Sequence, residues 1–240
     1  MNGSAFFAGV RALALAIAAG ASALPAGADG LPLFEGYDAY WKTLPHPLFT
    51  VADERKLDDP QSLDGQAFLA WGAVPPDGRT FAPGQHRVEL LGPDLTIDRR
   101  ALPFARAKVF PGEVAAEVGA DARLFVGPRD VCLQGTAASS SGTAQRHVHV
   151  VLVTDAFTRE ARRYDLPSLF GSCLALRRDD RGGLRFPEGS YHTPAGASVS
   201  DGVDFRQWQL RDGRFVRTAE QWKVRFPDPD DVYRFNAVVP

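Results

Sequence analysis

Thioether sulfur is almost missing from this sequence: Met1 is its single methionine, and sulfur otherwise comes only from Cys132 and Cys173. A copper site built on methionine is therefore excluded. Charge of one sign is missing too, with 27 Lys and Arg against 29 Asp and Glu for a net charge of −2. The arginines are scattered among acids rather than gathered into a basic stripe, so no nucleic-acid partner is expected. No apolar run reaches the roughly 20 residues that a membrane-spanning helix needs, so no integral membrane segment is expected in the mature chain. A Gly-rich phosphate loop is absent, which disfavours nucleotide chemistry, and so is any Gly-x-Ser-x-Gly nucleophile elbow.

What is present begins with an export signature. Residues 1–10 carry no acid, Arg11 supplies one positive charge, and residues 12–19 form a short apolar run followed by small residues. This is the order of a secretory signal peptide, expected to span 1–28. Two small-x-small sites fit cleavage, after Ala23 or after Ala28, and Pro25 favours the second by ending the helical stretch before the cut. The mature chain, 29–240, then has a net charge of −3, because Arg11 leaves and no acid does. It is expected in the periplasm or outside the cell, as a single β-rich domain.

Export changes the reading of the two cysteines. In an oxidising compartment a lone pair of thiols tends to be joined, so a Cys132–Cys173 disulfide is expected in preference to a catalytic thiol. Each cysteine alternates with apolar neighbours, as in strands.

The fold signal is period-2 alternation broken by Gly, Pro and Asp clusters. It predicts an antiparallel, mainly β protein, a sandwich or curled sheet of short strands. Strands are expected at 67–71, 87–91, 96–99, 122–126, 131–135, 146–154, 160–166, 172–177, 184–186, 203–211, 214–218, 221–226 and 232–235. Asp212-Gly213 suits a two-residue type I′ hairpin that would set Leu210 across from Phe215 and Trp208 across from Arg217. Phe34, Tyr37, Trp41 and Leu44 recur at helical spacing and predict one short helix over 35–43, stopped by Pro45 and Pro47. A further turn is expected near 113–118. The segment 29–84 reads as a helix- and loop-rich covering, and no fixed-period repeat is found.

Four features bear on function. His147 and His149 project from one face of a strand and could present two imidazoles to a transition metal, with His86, His192 or Asp130 as a distant third ligand. The alternative is a strand face that starts polar and becomes buried at Val151 and Val153. No other cofactor is expected. The Ser-rich run at 137–143 reads as a hairpin loop rather than a nucleophile. Asp228-Pro229-Asp230-Asp231 and Asp179-Asp180 lack the Gly and distal Glu of a calcium loop and read as turn chemistry. Trp208, Arg206 and Arg217, with other aromatics and arginines of the C-terminal strands, form a candidate interaction patch, weighed against simple cross-strand pairing.

Together these features lead to a non-catalytic, inhibitor- or immunity-like binding module of the envelope, with a protein or glycan partner. A hydrolase of envelope polymers assembled from distant strands is the first alternative. A metal-handling protein using His147 and His149 is the second.

Overall fold

A computed structural model describes residues 30–55, 58–63, 66–71, 86–91, 94–98, 100–102, 122–136 and 145–237. The expected signal peptide at 1–28, the expected turn at 113–118 and the Ser-rich run at 137–143 lie outside the described residues. The N-terminal part holds strand β1 (Leu33–Glu35), helix α1 (Tyr37–Trp41) and strand β2 (Glu54–Arg55). Strands β3 (Asp58–Leu63), β4 (Gln66–Trp71), β5 (His86–Leu91), β6 (Asp94–Ile97) and β7 (Arg100–Leu102) follow as a meander. Next come β8 (Arg123–Val126), β9 (Val131–Gly135), β10 (His147–Thr154) and β11 (Arg162–Leu169). The C-terminal part holds β12 (Arg177–Arg178), β13 (Leu184–His192), β14 (Gly202–Arg211), β15 (Arg214–Arg225) and β16 (Arg234–Ala237).

Three antiparallel sheets result, in the orders β1-β16-β15-β14-β13-β12, β11-β10-β9-β8-β2 and β3-β4-β5-β6-β7. The chain is mainly β, as its alternation predicts, and the larger sheet curls into a half-barrel. The second sheet is buried on both faces. Its inner face sends Phe125, Cys132, Val150, Leu152 and Leu166 into a core shared with α1 and the half-barrel. Its outer face sends Leu124, Leu133, Val151 and Val153 against Ile97 and Leu102 of the meander. The near-continuous apolar run of β10 is the sequence trace of this two-sided burial.

The Asp212-Gly213 turn forms as predicted: Asp212 and Gly213 have φ of 50° and 76°, and Leu210 pairs with Phe215 and Trp208 with Arg217. Two expectations need correction. The strand expected over 172–177 is a 3-10 turn at Cys173–Ala175 followed by the two-residue β12, because the Ser172 hydroxyl accepts the Leu174 N–H and bends the backbone out of the ladder. The strands expected at 214–218 and 221–226 are one twelve-residue strand, since nothing between Thr218 and Gln221 breaks extended backbone. The 29–84 segment contributes β1 to β4 as well as the helix, and only the 67–71 strand among these is evident from alternation.

The first two sheets meet at β11 and β13 through side chains. The Ser168 hydroxyl accepts the Gly189 N–H at 2.9 Å and lies 3.2 Å from the Pro187 carbonyl. Pro167 is tolerated because β11 is an edge strand. Glycine is required where strands crowd: a Cβ on Gly202 would stand 2.1 Å from the Val224 carbonyl oxygen. Gly202→Ala is expected to lower the unfolding free energy by about 1–3 kcal/mol, read as a lower denaturant midpoint at unchanged slope.

Cys132 and Cys173 form a disulfide with Cα atoms 5.9 Å apart, closing a separation of 41 residues. If the bridge acts on unfolded-chain entropy, the Cys132→Ala, Cys173→Ala double variant should lose roughly 4 kcal/mol. Equilibrium guanidinium unfolding checks this; an unchanged midpoint would show that packing alone holds the two segments.

Candidate functional site

The site grows from the turn that the disulfide holds. On β9, Cys132 and Gln134 share the inner face. Gln134 Oε1 accepts the Cys173 N–H at 2.6 Å, so the bridge and this hydrogen bond fix the same residue twice. Ser172 Oγ lies 2.9 Å from Asp38 Oδ1 and 3.1 Å from Gln134 Oε1. Its single proton goes to the carboxylate, the stronger acceptor. The other Asp38 oxygen accepts from Arg123 Nη1 at 2.6 Å, and Arg123 also forks onto both oxygens of Glu54 at 2.8 Å. This chain ties α1 to β9, β8 and β2.

Above the turn lies a cavity of about 290 Å³ lined by Tyr37, Asp38, Arg146, Val148, Phe170 and Tyr233, with Gly36, Gln134, Gln145 and Gly171 completing it. Its walls are aromatic. Tyr37 stacks on Phe170 at 4.1 Å and on Phe235 at 4.3 Å, while Tyr191 and Tyr233 meet Phe170 edge-on at 6.1 and 5.5 Å. Phe170 has a φ of 53°, a conformation rare for a bulky residue. It is locked there by its N–H on the Arg146 carbonyl at 2.7 Å and by its own carbonyl, which accepts from Trp41 Nε1 at 3.2 Å.

The polar groups of the cavity are unevenly satisfied. Tyr37 is 6% exposed, yet its hydroxyl makes no hydrogen bond among the described residues. Burial pushes the Tyr37 phenol well above its ordinary range, with the neighbouring Tyr191 and Tyr233 phenols adding to the effect and Arg146 opposing it. Tyr37 therefore stays a neutral donor. Arg146 Nη1 donates to the Tyr191 hydroxyl at 2.7 Å, and that bond holds its proton more tightly than usual. No carboxylate pairs with Arg146 among the described residues; Asp38, the one acid lining the cavity, has both oxygens engaged elsewhere.

A second cleft, about 380 Å³, opens where the loops joining β8 to β9 and β10 to β11 face the β12–β13 and β14–β15 turns. Its acids are Asp130, Asp155 and Glu160, and its bases are Arg129, Arg162 and Arg178. Asp130 is buried; desolvation raises its pKa despite the Asp155 N–H it accepts and its 3.0 Å contact with Arg178. Arg129 pairs with Asp155.

Of the residues singled out from the sequence, Tyr233 of the C-terminal aromatics lines the cavity, whereas His147, His149, Arg206, Trp208 and Arg217 do not. His147 pairs in register with Leu169, and His149 with Pro167 and Gly135, on the face that becomes buried at Val151 and Val153. Among the described residues no group of three or more His, Cys, Asp and Glu side chains is arranged to hold a metal ion. His192 stands 3.0 Å from Asp204 and within 3.1 Å of Lys223, and Asp130 is held by Arg178. Trp208 is half-buried, packs on the core and donates its indole N–H to Glu188 at 2.9 Å, while Arg206 is exposed across from Glu188. That patch contains an acid the sequence gave no reason to place there. Sequence reasoning missed Tyr37, Arg146 and Phe170 as site residues. Tyr37 carried a signal for burial through its helical spacing, and Arg146 carried none.

No protein-family model, no curated protein and no solved structure matches the chain. The site therefore rests on its own chemistry. Because the Tyr37 hydroxyl has no partner among the described residues, Tyr37→Phe should raise the unfolding free energy of the free protein by about 1 kcal/mol. A loss of that size in chemical denaturation would show that the hydroxyl is bonded in solution.

Proposed function

We propose that the chain is an exported, non-catalytic binding protein whose seat is the cavity formed by Tyr37, Phe170, Tyr233 and Arg146, and that its partner is a protein or glycan of the envelope. One observation carries this reading: strained Phe170 and the unpartnered buried Tyr37 hydroxyl stand on the same cavity wall. Strain and unsatisfied polar groups cluster where a structure is shaped for something other than its own stability. The contacts of Asp38 favour binding over acid–base chemistry, since both of its oxygens already accept structural hydrogen bonds, one from Ser172 and one from Arg123. The disulfide suits an oxidising compartment, and no described helix is long and apolar enough to cross a membrane.

Affinity capture from the native envelope fraction tests the proposal. Wild-type protein should retain a partner that Tyr233→Ala loses, while a Trp208→Ala, Arg217→Ala double variant keeps it. The reverse pattern would move the seat to the outer sheet face.

Asp130 favours a second reading, hydrolysis in the polar cleft. A buried carboxyl with a raised pKa beside further acids is the environment of a general acid. Turnover of envelope polymers that disappears in Asp130→Asn, with the fold intact, would put catalysis in place of the binding reading.

A further inference from the structure

We infer that the cavity recognises a ring-bearing carboxylate: a single ring presenting an apolar face, entering between Phe170, Tyr233 and Val148, with its anionic oxygens on the Arg146 guanidinium. This rests on the binding reading above and specifies the ligand for that seat.

Size sets the first limit. A volume of about 290 Å³ lies at the small end of ligand pockets, enough for one ring and its substituents rather than an extended chain. The walls set the second. Phe170, Tyr37 and Tyr233 offer ring faces and edges, and Val148 adds an aliphatic surface, which together suit a ring with an apolar face, aryl or the C–H face of a sugar.

Charge sets the third. Arg146 is the one cation among the described lining residues, and among the described residues its side chain donates to a phenol, Tyr191. A guanidinium has five N–H donors in a planar fork, so a single bond to Tyr191 leaves most of them open to a second acceptor. The groups around it are the hydroxyls of Tyr191, Tyr37 and Tyr233, each able to donate. One cation ringed by hydroxyl donors, with the one acid among the lining residues, Asp38, held by Ser172 and Arg123, is a surrounding for an anion. A cationic ligand would instead meet Arg146 with no free carboxylate to offset it.

The ring and the carboxylate could come from an aryl acid, such as an aromatic residue at a chain terminus, or from an acidic sugar of a glycan. Isothermal titration of the mature protein with 3-phenylpropionate, its uncharged amide 3-phenylpropanamide, and glucuronate separates these. The acid should bind at least tenfold more tightly than the amide, and Arg146→Gln should remove that preference. Arg146→Lys, which keeps the charge and loses the fork, should retain part of it. Glucuronate binding with the same dependence on Arg146 supports the inference and assigns the source to a saccharide.

Equal affinity for acid and amide would overturn the carboxylate inference while leaving the cavity as the seat. Binding of neither the aryl acid nor glucuronate to wild-type protein would also overturn it, and the Tyr233→Ala capture result reports separately on the seat. Denaturant midpoints of the Arg146 variants within error of wild type establish that a lost preference is not lost folding.

Discussion

The tie between β9 and the turn at Cys173–Ala175 is the constraint on which the inner face of the molecule depends. The first two sheets share no backbone ladder where β11 and β13 come together; Ser168 and the close approach of Gly189 to the Leu169 carbonyl do that work. Such a junction fixes spacing but gives little resistance to sliding. The Cys132–Cys173 bridge and the Gln134 hydrogen bond to the Cys173 N–H supply that resistance. They grip the chain just after Phe170 and Gly171, and thereby fix where the end of β11 sits relative to β9.

From that anchor the aromatic interior follows. Helix α1 has only five residues, too few for helical propensity to stabilise it alone. It is held by Tyr37, Tyr40 and Trp41, all buried, and by Asp38 at its start, which reaches Ser172 and Arg123. Tyr37 lies between Phe170 of one sheet's edge and Phe235 of the half-barrel. The helix therefore acts as a wedge whose position is set from both sides, and its first turn becomes a wall of the cavity.

Local chemistry made part of this legible. Asp212-Gly213 fixes the register of β14 and β15 because both residues adopt positive φ, so Leu210–Phe215 and Trp208–Arg217 could be paired from the sequence. The disulfide was legible as the pairing of the only two cysteines, expected under a reading of the chain as exported, although Cys173 lies in a turn where alternation suggested a strand. The cavity was not legible. Tyr37, Arg146, Phe170, Tyr191 and Tyr233 come from five separate stretches, and no periodicity links them. Arg146 reads as the polar start of a strand, and nothing in the sequence marks that its carbonyl accepts the Phe170 N–H or that its side chain reaches Tyr191.

Two arginines show how differently one fold treats the same group. Arg177 is buried inside the half-barrel, where desolvation lowers its pKa; it donates to Gln207 at 2.8 Å and lies 5.8 Å from the centre of the Trp222 ring. Gln207 is itself fully buried and reaches inward where the β14–β15 register shifts between Arg206 and Trp208. A buried cation is tolerated only with such compensation, and here the sheet is bent to provide it. Arg146 is half-buried, borders the cavity and has a phenol where a carboxylate would satisfy it better. A protein that answers an interior guanidinium with a bulge, an amide and an indole has the means to answer one at a cavity mouth. That Arg146 is answered only by a phenol, beside a tyrosine with an idle hydroxyl and a phenylalanine held at positive φ, is coherent if the missing acceptor belongs to the ligand.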